Sequence, residues 1–134
     1  MNARASSFAG LTMVVAALLA VAPAVAADLV MYTRAGCPFC VRFEREVAPV
    51  YDKTPEGRLA PLQRITLPAG GVSGAGLREP VFATPTFVLM QDGREAGRIT
   101  GYLNDDMFWG LLGRLIAGLA PPAPTITTSK ALAQ

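Results

Sequence analysis

The chain has 134 residues, 51% of them hydrophobic and 16% charged, with a formal net charge of +2. That length suits one domain. Its charges are interspersed, with no basic stripe of the kind that binds nucleic acid, and it has two cysteines and no histidine, so it holds no self-contained four-ligand zinc set.

Residues 1–26 read as a secretory signal. Arg4 forms a short positive start, Phe8 to Ala22 an apolar run, and Ala24–Val25–Ala26 a small-residue cleavage pattern. The reading places the cut after Ala26, with Ala22 and Ala27 as alternatives. Loss of Arg4 lowers the net charge from +2 to +1. An uncleaved anchor is the rival, since the run approaches the roughly 17 residues that span a bilayer. Residues 27–118 then form the domain, and residues 119–134, rich in Pro, Thr, Ser and Ala, read as a disordered tail.

Asp28–Thr33 is an apolar run ending in a β-branched residue, the pattern of a buried strand in a parallel sheet. Gly36 allows a sharp exit. Pro38 opens a helix, where its missing N–H has no intrahelical partner to lose. Cys40, Phe43, Val47 and Val50 follow steps of 3, 4 and 3 and form one apolar stripe. Arg42, Arg45 and Glu46 lie largely outside it. Pro49 must kink or end this helix. Tyr51–Arg58 reads as a polar loop and Pro61–Leu67 as a second strand, giving a βαβ unit. Pro68–Gly76 is a glycine-rich loop. It lacks the Lys-Ser/Thr ending of a phosphate cradle.

Thr86–Gln91 reads as a strand, Asp92–Gly93 as a two-residue hairpin turn, and Glu95–Tyr102 as the antiparallel return, with Gly97 a candidate bulge. Asn104 caps the last helix, with Asp105 and Asp106 in its first turn. Met107, Leu111, Leu112 and Leu115 form its apolar face, and it ends near Gly118. Trp109 is expected to pack on the sheet or the preceding loop. Phe82, Phe87, Phe108 and Trp109 read as core aromatics. The chain has no internal repeat.

The order β-α-β, then β-β-α, puts Cys37-Pro38-Phe39-Cys40 where the first strand meets the first helix. Unpaired N–H groups and the helix dipole stabilise a thiolate there. The Cys37 pKa is expected to fall from about 8.5 into the range of roughly 3.5–7.5. Cys40, one turn in, lies on the buried stripe. Cys37 is therefore the candidate nucleophile and Cys40 the resolving thiol. Arg34 reads as a solvated loop charge, with added positive potential near Cys37 as the alternative. Three other uses of the pair stay open. An inert staple would remove little entropy by closing so short a loop. A Cu(I) or zinc carrier would need a partner's ligands. A binding module would make the redox chemistry incidental.

The sequence resembles the thioredoxin superfamily from about Leu29 to Ala117. "CPFC" and "ATPT" (Ala83–Thr86) carry the likeness. It implies an α/β thioredoxin-like fold, with a mixed sheet flanked by helices, and a thiol–disulfide oxidoreductase with a Cys37–Cys40 disulfide. It also implies a cis peptide bond at Thr84–Pro85, facing the cysteines, with the Thr84 backbone pairing an extended substrate. Pro38 and Phe39, between the sulfurs, join Thr84 and Pro85 as the substrate-facing set. Phe39 has a second reading, packing on a neighbouring loop. Pro followed by an aromatic between the cysteines is similar to glutaredoxins. Their usual Gly-Gly pair is not matched, because Tyr102 stands in its second place. The Trp-Cys-Gly-Pro-Cys of ordinary thioredoxins is not matched either. The combination is most similar to the periplasmic thioredoxin-like proteins of bacterial sulfur-oxidation (Sox) gene clusters, thought to keep the cysteine of a thiosulfate-carrier protein reduced. That likeness implies a periplasmic monomer that needs no cofactor and no metal. Its substrate is a cysteine-containing protein and its electron donor a membrane thiol-transporter. Reductase or oxidase direction is left open by sequence, as is the use of glutathione.

Overall fold

The computed structural model describes residues 26–121. The signal reading and most of the tail reading lie outside them. The elements in chain order are β1 (Ala27–Thr33), α1 (Pro38–Glu46), α2 (Ala48–Tyr51), α3 (Pro55–Leu59), β2 (Leu62–Thr66), β3 (Thr86–Gln91), β4 (Arg94–Thr100) and α4 (Asp105–Ala117). The sheet order is β2-β1-β3-β4. β1 runs parallel to β2 and antiparallel to β3, which is antiparallel to β4. The fold is therefore α/β with a mixed four-stranded sheet. At its far end, the Gln91 side chain donates to Ala120 O at 2.8 Å and accepts from Ala120 N at 3.1 Å.

Successive residues of a strand face opposite sides, and here the two sides are covered differently. Leu29, Met31, Phe87, Leu89 and Ile99 join Phe43, Val47, Tyr51, Phe108 and Leu112 in the larger core, beneath the helices. Val30, Tyr32 and Val88 face the other way, against Leu67 and Val81 of the long β2–β3 connection, with Val72 and Leu77 alongside. That connection is held over the sheet by a pair of backbone bonds between Val72 and Val81, at 2.8 and 3.0 Å.

Several sequence expectations shift. The helix expected through Tyr51 breaks at Val47, two residues before Pro49, because proline has no N–H to offer the Arg45 carbonyl. The chain restarts as α2 in a new phase. Tyr51 is buried and Val50 is 45% exposed, so Val50 is not on the buried stripe. The expected polar loop contains α3, begun by a Thr54 side chain that accepts from Gly57 N at 3.0 Å. Tyr51 donates its hydroxyl to Ala60 O at 2.7 Å and stacks on Trp109, with centroids 5.8 Å apart. Trp109 thus packs on Tyr51 of α2, at the margin of the larger core. Met107 is 48% exposed and Phe82 68% exposed, so neither is core. The buried face of α4 is carried by Phe108 and Leu112.

β4 ends at Thr100, two residues before the expected limit. Its bulge lies next to Gly97, not at it: Leu89 pairs with Gly97 and Met90 with Glu95, which leaves Ala96 as the extra residue. Gly97 answers a different demand, since a Cβ there would meet Leu115 Cδ2 at 2.5 Å. The bulge has a further effect. Residues three apart on a regular strand face opposite sides. The extra residue turns Glu95 and Arg98 to the same side, where Arg98 Nε and Nη2 donate to the two carboxylate oxygens of Glu95, each at 2.6 Å.

Two outcomes test this packing. A Cβ at Gly57 would collide with the Tyr51 backbone carbonyl. Alanine in a helix interior ordinarily stabilises by about 1 kcal/mol relative to glycine. Here Gly57→Ala is expected to destabilise instead, by about 1–3 kcal/mol, read as a lower urea midpoint. The second outcome concerns acid. The Arg98 guanidinium, aided by the Arg78 N–H, holds Glu95 below its ordinary value of 4.5. Its contribution is therefore present above that value and is lost as pH falls through the lowered one. Thermal melts from pH 7 to 3 should show Glu95→Gln less stable at neutral pH and less sensitive to acid. An unchanged slope below pH 4.5 would mean that the pair does not titrate with folding.

Candidate active site

β1 delivers the chain to one end of the sheet, and Gly36, at φ +75°, turns it into α1. Cys37 is the residue before the helix, with extended backbone angles of −83° and 106°. Its N–H donates to Arg34 O at 3.3 Å, and its carbonyl accepts from Val41 N at 3.1 Å. Its sulfur accepts the Cys40 N–H at 3.1 Å. One of the helix's orphan donors is thus aimed at a sulfur, in the role that Ser or Asp oxygens usually fill. Pro38 takes the first helical position without loss. Cys37 and Cys40 form a disulfide, with Cα atoms 5.3 Å apart. The two residues are 8% and 4% exposed, so both are buried, Cys40 the more deeply.

A groove of about 440 Å³ lies between Phe39 (the residue before Cys40), the Thr84–Pro85 segment, the end of β4 and the start of α4; neither cysteine is in its lining. Phe39, Thr84, Pro85, Tyr102, Leu103 and Met107 are among its lining, which includes no charged residue. Three of the four substrate-facing residues named from sequence therefore meet in one groove. Pro38 is exposed and lies outside that lining. The Thr84–Pro85 peptide bond is cis. Pro85 O accepts from Gly101 N at 2.7 Å, and Thr86 Oγ1 donates to Ala83 O at 2.8 Å, so both flanks of the segment are tied down.

Sequence reasoning missed the part played by the β4–α4 corner. Tyr102 is 4% exposed and donates its hydroxyl to Glu46 Oε2 at 2.8 Å. The Arg42 guanidinium lies 5.7 Å from the centre of its ring. Burial raises the Tyr102 pKa, and the bond to Glu46 raises it further. The same bond, with help from Arg42 and Arg45, lowers that of Glu46. The groove wall is thereby tied to the helix that carries both cysteines. The usable signal was Tyr102 directly after Gly101, which turns the chain at φ +86°. Arg34, read as a solvated charge, is exposed and donates to Pro68 O at 3.4 Å.

A family pattern described as thioredoxin-like domain matches residues 23–116. The chain belongs to the thioredoxin-like family. Among solved structures it is similar to the reduced form of the periplasmic thioredoxin SoxS from Paracoccus pantotrophus. The two are 44% identical, the match covers 69% of this chain and 97% of that one, and the TM-score is 0.63. The thioredoxin Mala s 13 from Malassezia sympodialis also matches, at 19% identity, 66% and 75% coverage and a TM-score of 0.46. No curated protein matches the chain. A thioredoxin-like fold with a Cys-x-x-Cys disulfide at its helix start makes the chain a thiol–disulfide oxidoreductase.

Proposed function

We propose that this thioredoxin-like protein is a periplasmic reductase of protein disulfides, acting on a cysteine of a sulfur-carrier protein of the Sox type. The observation that carries the assignment of roles is the Cys40 N–H donated to Cys37 Sγ at the start of α1. A donor there favours the thiolate over the thiol, so Cys37 is the attacking sulfur and Cys40 the resolving one. The 44% identity to the periplasmic thioredoxin SoxS of Paracoccus pantotrophus supports the compartment. Among the described residues, no helix is long and apolar enough to cross a membrane.

The chemistry balances without a cofactor. In the reduced protein, the Cys37 thiolate attacks one sulfur of the substrate disulfide. That S–S bond breaks, and the other sulfur leaves as a thiolate that takes up a proton. Cys40 then loses its proton and attacks Cys37 Sγ, which releases the second substrate thiol. Two electrons have moved, and the protein is left with the Cys37–Cys40 disulfide present in the structure. The same exchange in reverse, with a membrane thiol-transporter as donor, restores the dithiol. The Thr84 backbone, which shares a groove with Phe39 and Pro85, pairs with the extended substrate during the mixed-disulfide step. Phe39 supplies an apolar contact.

Two measurements test the proposal. The reduction potential of the Cys37–Cys40 pair, poised in glutathione buffers, is expected near about −270 mV, as for a reductant. A potential near about −120 mV would make the protein an oxidant that inserts disulfides. Separately, Cys40→Ser should accumulate a covalent mixed disulfide with a protein substrate on a non-reducing gel, whereas Cys37→Ser should neither trap substrate nor turn over. Trapping by Cys37→Ser alone would reverse the two roles.

A further inference from the structure

The face of the sheet that carries no helix among the described residues bears an ion pair which the redox chemistry does not use. The Glu95 side chain is 2% exposed and that of Arg98 16%. Their contact is bidentate, and it does not stop at the pair. Arg98 Nη2 also donates to Glu79 O at 2.8 Å, and Nη1 to Pro80 O at 3.3 Å. Glu95 Oε2 accepts from Arg78 N at 2.8 Å, and Glu95 N donates to Gly76 O at 2.9 Å. One buried carboxylate and one guanidinium thus hold three positions of a single segment, residues 76–80, and the Glu95 backbone N–H holds a fourth.

That segment leads into the groove. Val81 follows as a buried plug bonded to Val72, and the Phe82 ring lies against the backbone of Gly71. Thr84 and Pro85 come next and line the groove. Downstream they are fixed by β3, which begins at Thr86. Upstream, Thr86 Oγ1 grips Ala83 O from within the same turn, and the nearest polar side chain from another strand that grips the main chain is Arg98, at Pro80. Apolar contacts alone would cover this face but would let the segment slide. Carbonyls gripped by a planar, five-donor group are held in direction as well as distance.

We infer that the Glu95–Arg98 pair is a positioning device for the substrate groove, setting the Thr84–Pro85 segment against the disulfide from the opposite face of the sheet. The inference rests on the reading of Thr84 and Pro85 as substrate-binding. A lysine at 98 would keep the charge facing Glu95, but one ammonium cannot span both carboxylate oxygens and both carbonyls.

The test compares the protein with Arg98→Lys, Arg98→Gln and Pro85→Ala. Two substrates are used: insulin as the protein disulfide and 5,5′-dithiobis(2-nitrobenzoate) as a small disulfide that needs no extended pairing. Both Arg98 variants are expected to raise KM for insulin by roughly five- to tenfold, the equivalent of about 1–1.4 kcal/mol. Turnover of the small disulfide and the reduction potential should stay unchanged, and hydrogen exchange should quicken at residues 76–82 but not in β1 or β3. If Pro85→Ala raises KM for insulin and the Arg98 variants do not, the groove reading stands and the positioning role is overturned. If none of the variants moves KM, the groove reading falls and the inference with it. If the Arg98 variants slow both substrates alike and lose protection across the whole sheet, the pair is a stabiliser only, which also overturns the inference.

Discussion

Phe43 is the contact on which the site depends. It is fully buried, one turn beyond Cys40, and its ring lies 4.6 Å from Phe87, 5.1 Å from Phe108 and 5.6 Å from Tyr102. Those partners come from β3, α4 and the β4–α4 corner. Tilted and edge-on pairs of this kind contribute roughly 0.5–1.5 kcal/mol each beyond their buried area, but their geometric effect matters more. One ring sets the height of α1 on the sheet and its distance from the groove wall. The helix start, with its orphan N–H aimed at Cys37, can be placed reproducibly because the body of the helix cannot shift. The Tyr102–Glu46 bond closes the same triangle through polar groups.

The opposite face is organised by other means. Its apolar residues are covered by an irregular connection rather than a helix, and such a segment has little internal hydrogen bonding to hold its shape. Glycine lets it lie close. Gly76, at φ +81°, sits where a Cβ would meet Gly93 O of the hairpin turn. The ion pair made possible by the β4 bulge supplies the directional bonds. A buried pair is a poor source of net stability, because desolvation offsets most of its attraction. Its value here is in fixing where a loop goes.

How much of this the sequence disclosed follows from the range of the signals involved. β1, β3 and the Asp92–Gly93 hairpin were legible because their signals are local: two short apolar runs and a two-residue turn. The start of α1 was legible because Gly36, Pro38 and the Cys40–Phe43–Val47 stripe agree. Val50 was misread because Pro49 breaks the helix and resets its phase, which a stripe count does not register. α3 was missed because five residues cannot show a period, although Thr54-Pro55 is a fair helix start. Phe82 and Met107 read as core by residue type, yet the structure leaves them exposed. The Glu95–Arg98 pair was invisible for a geometric reason: only a bulge brings residues three apart on a strand to one side. The meeting of Thr84 and Pro85 with Phe39 was reachable from the family resemblance alone, since the two segments are more than forty positions apart in the chain.

The Gln91–Ala120 clasp gives the molecule a polarity. Ala27 pairs with Gln91 in the sheet, so the first strand begins and the last helix is moored at the same pole. The disulfide follows the other end of β1. A tag, a resin linkage or a lipid-side attachment made at Ala26 or Pro121, the ends of the described residues, therefore leaves from the pole opposite the end of β1 that leads to the sulfurs. Protein immobilised at either of those two residues should present its reactive end outward, which makes it a natural bait for capturing substrates by disulfide exchange.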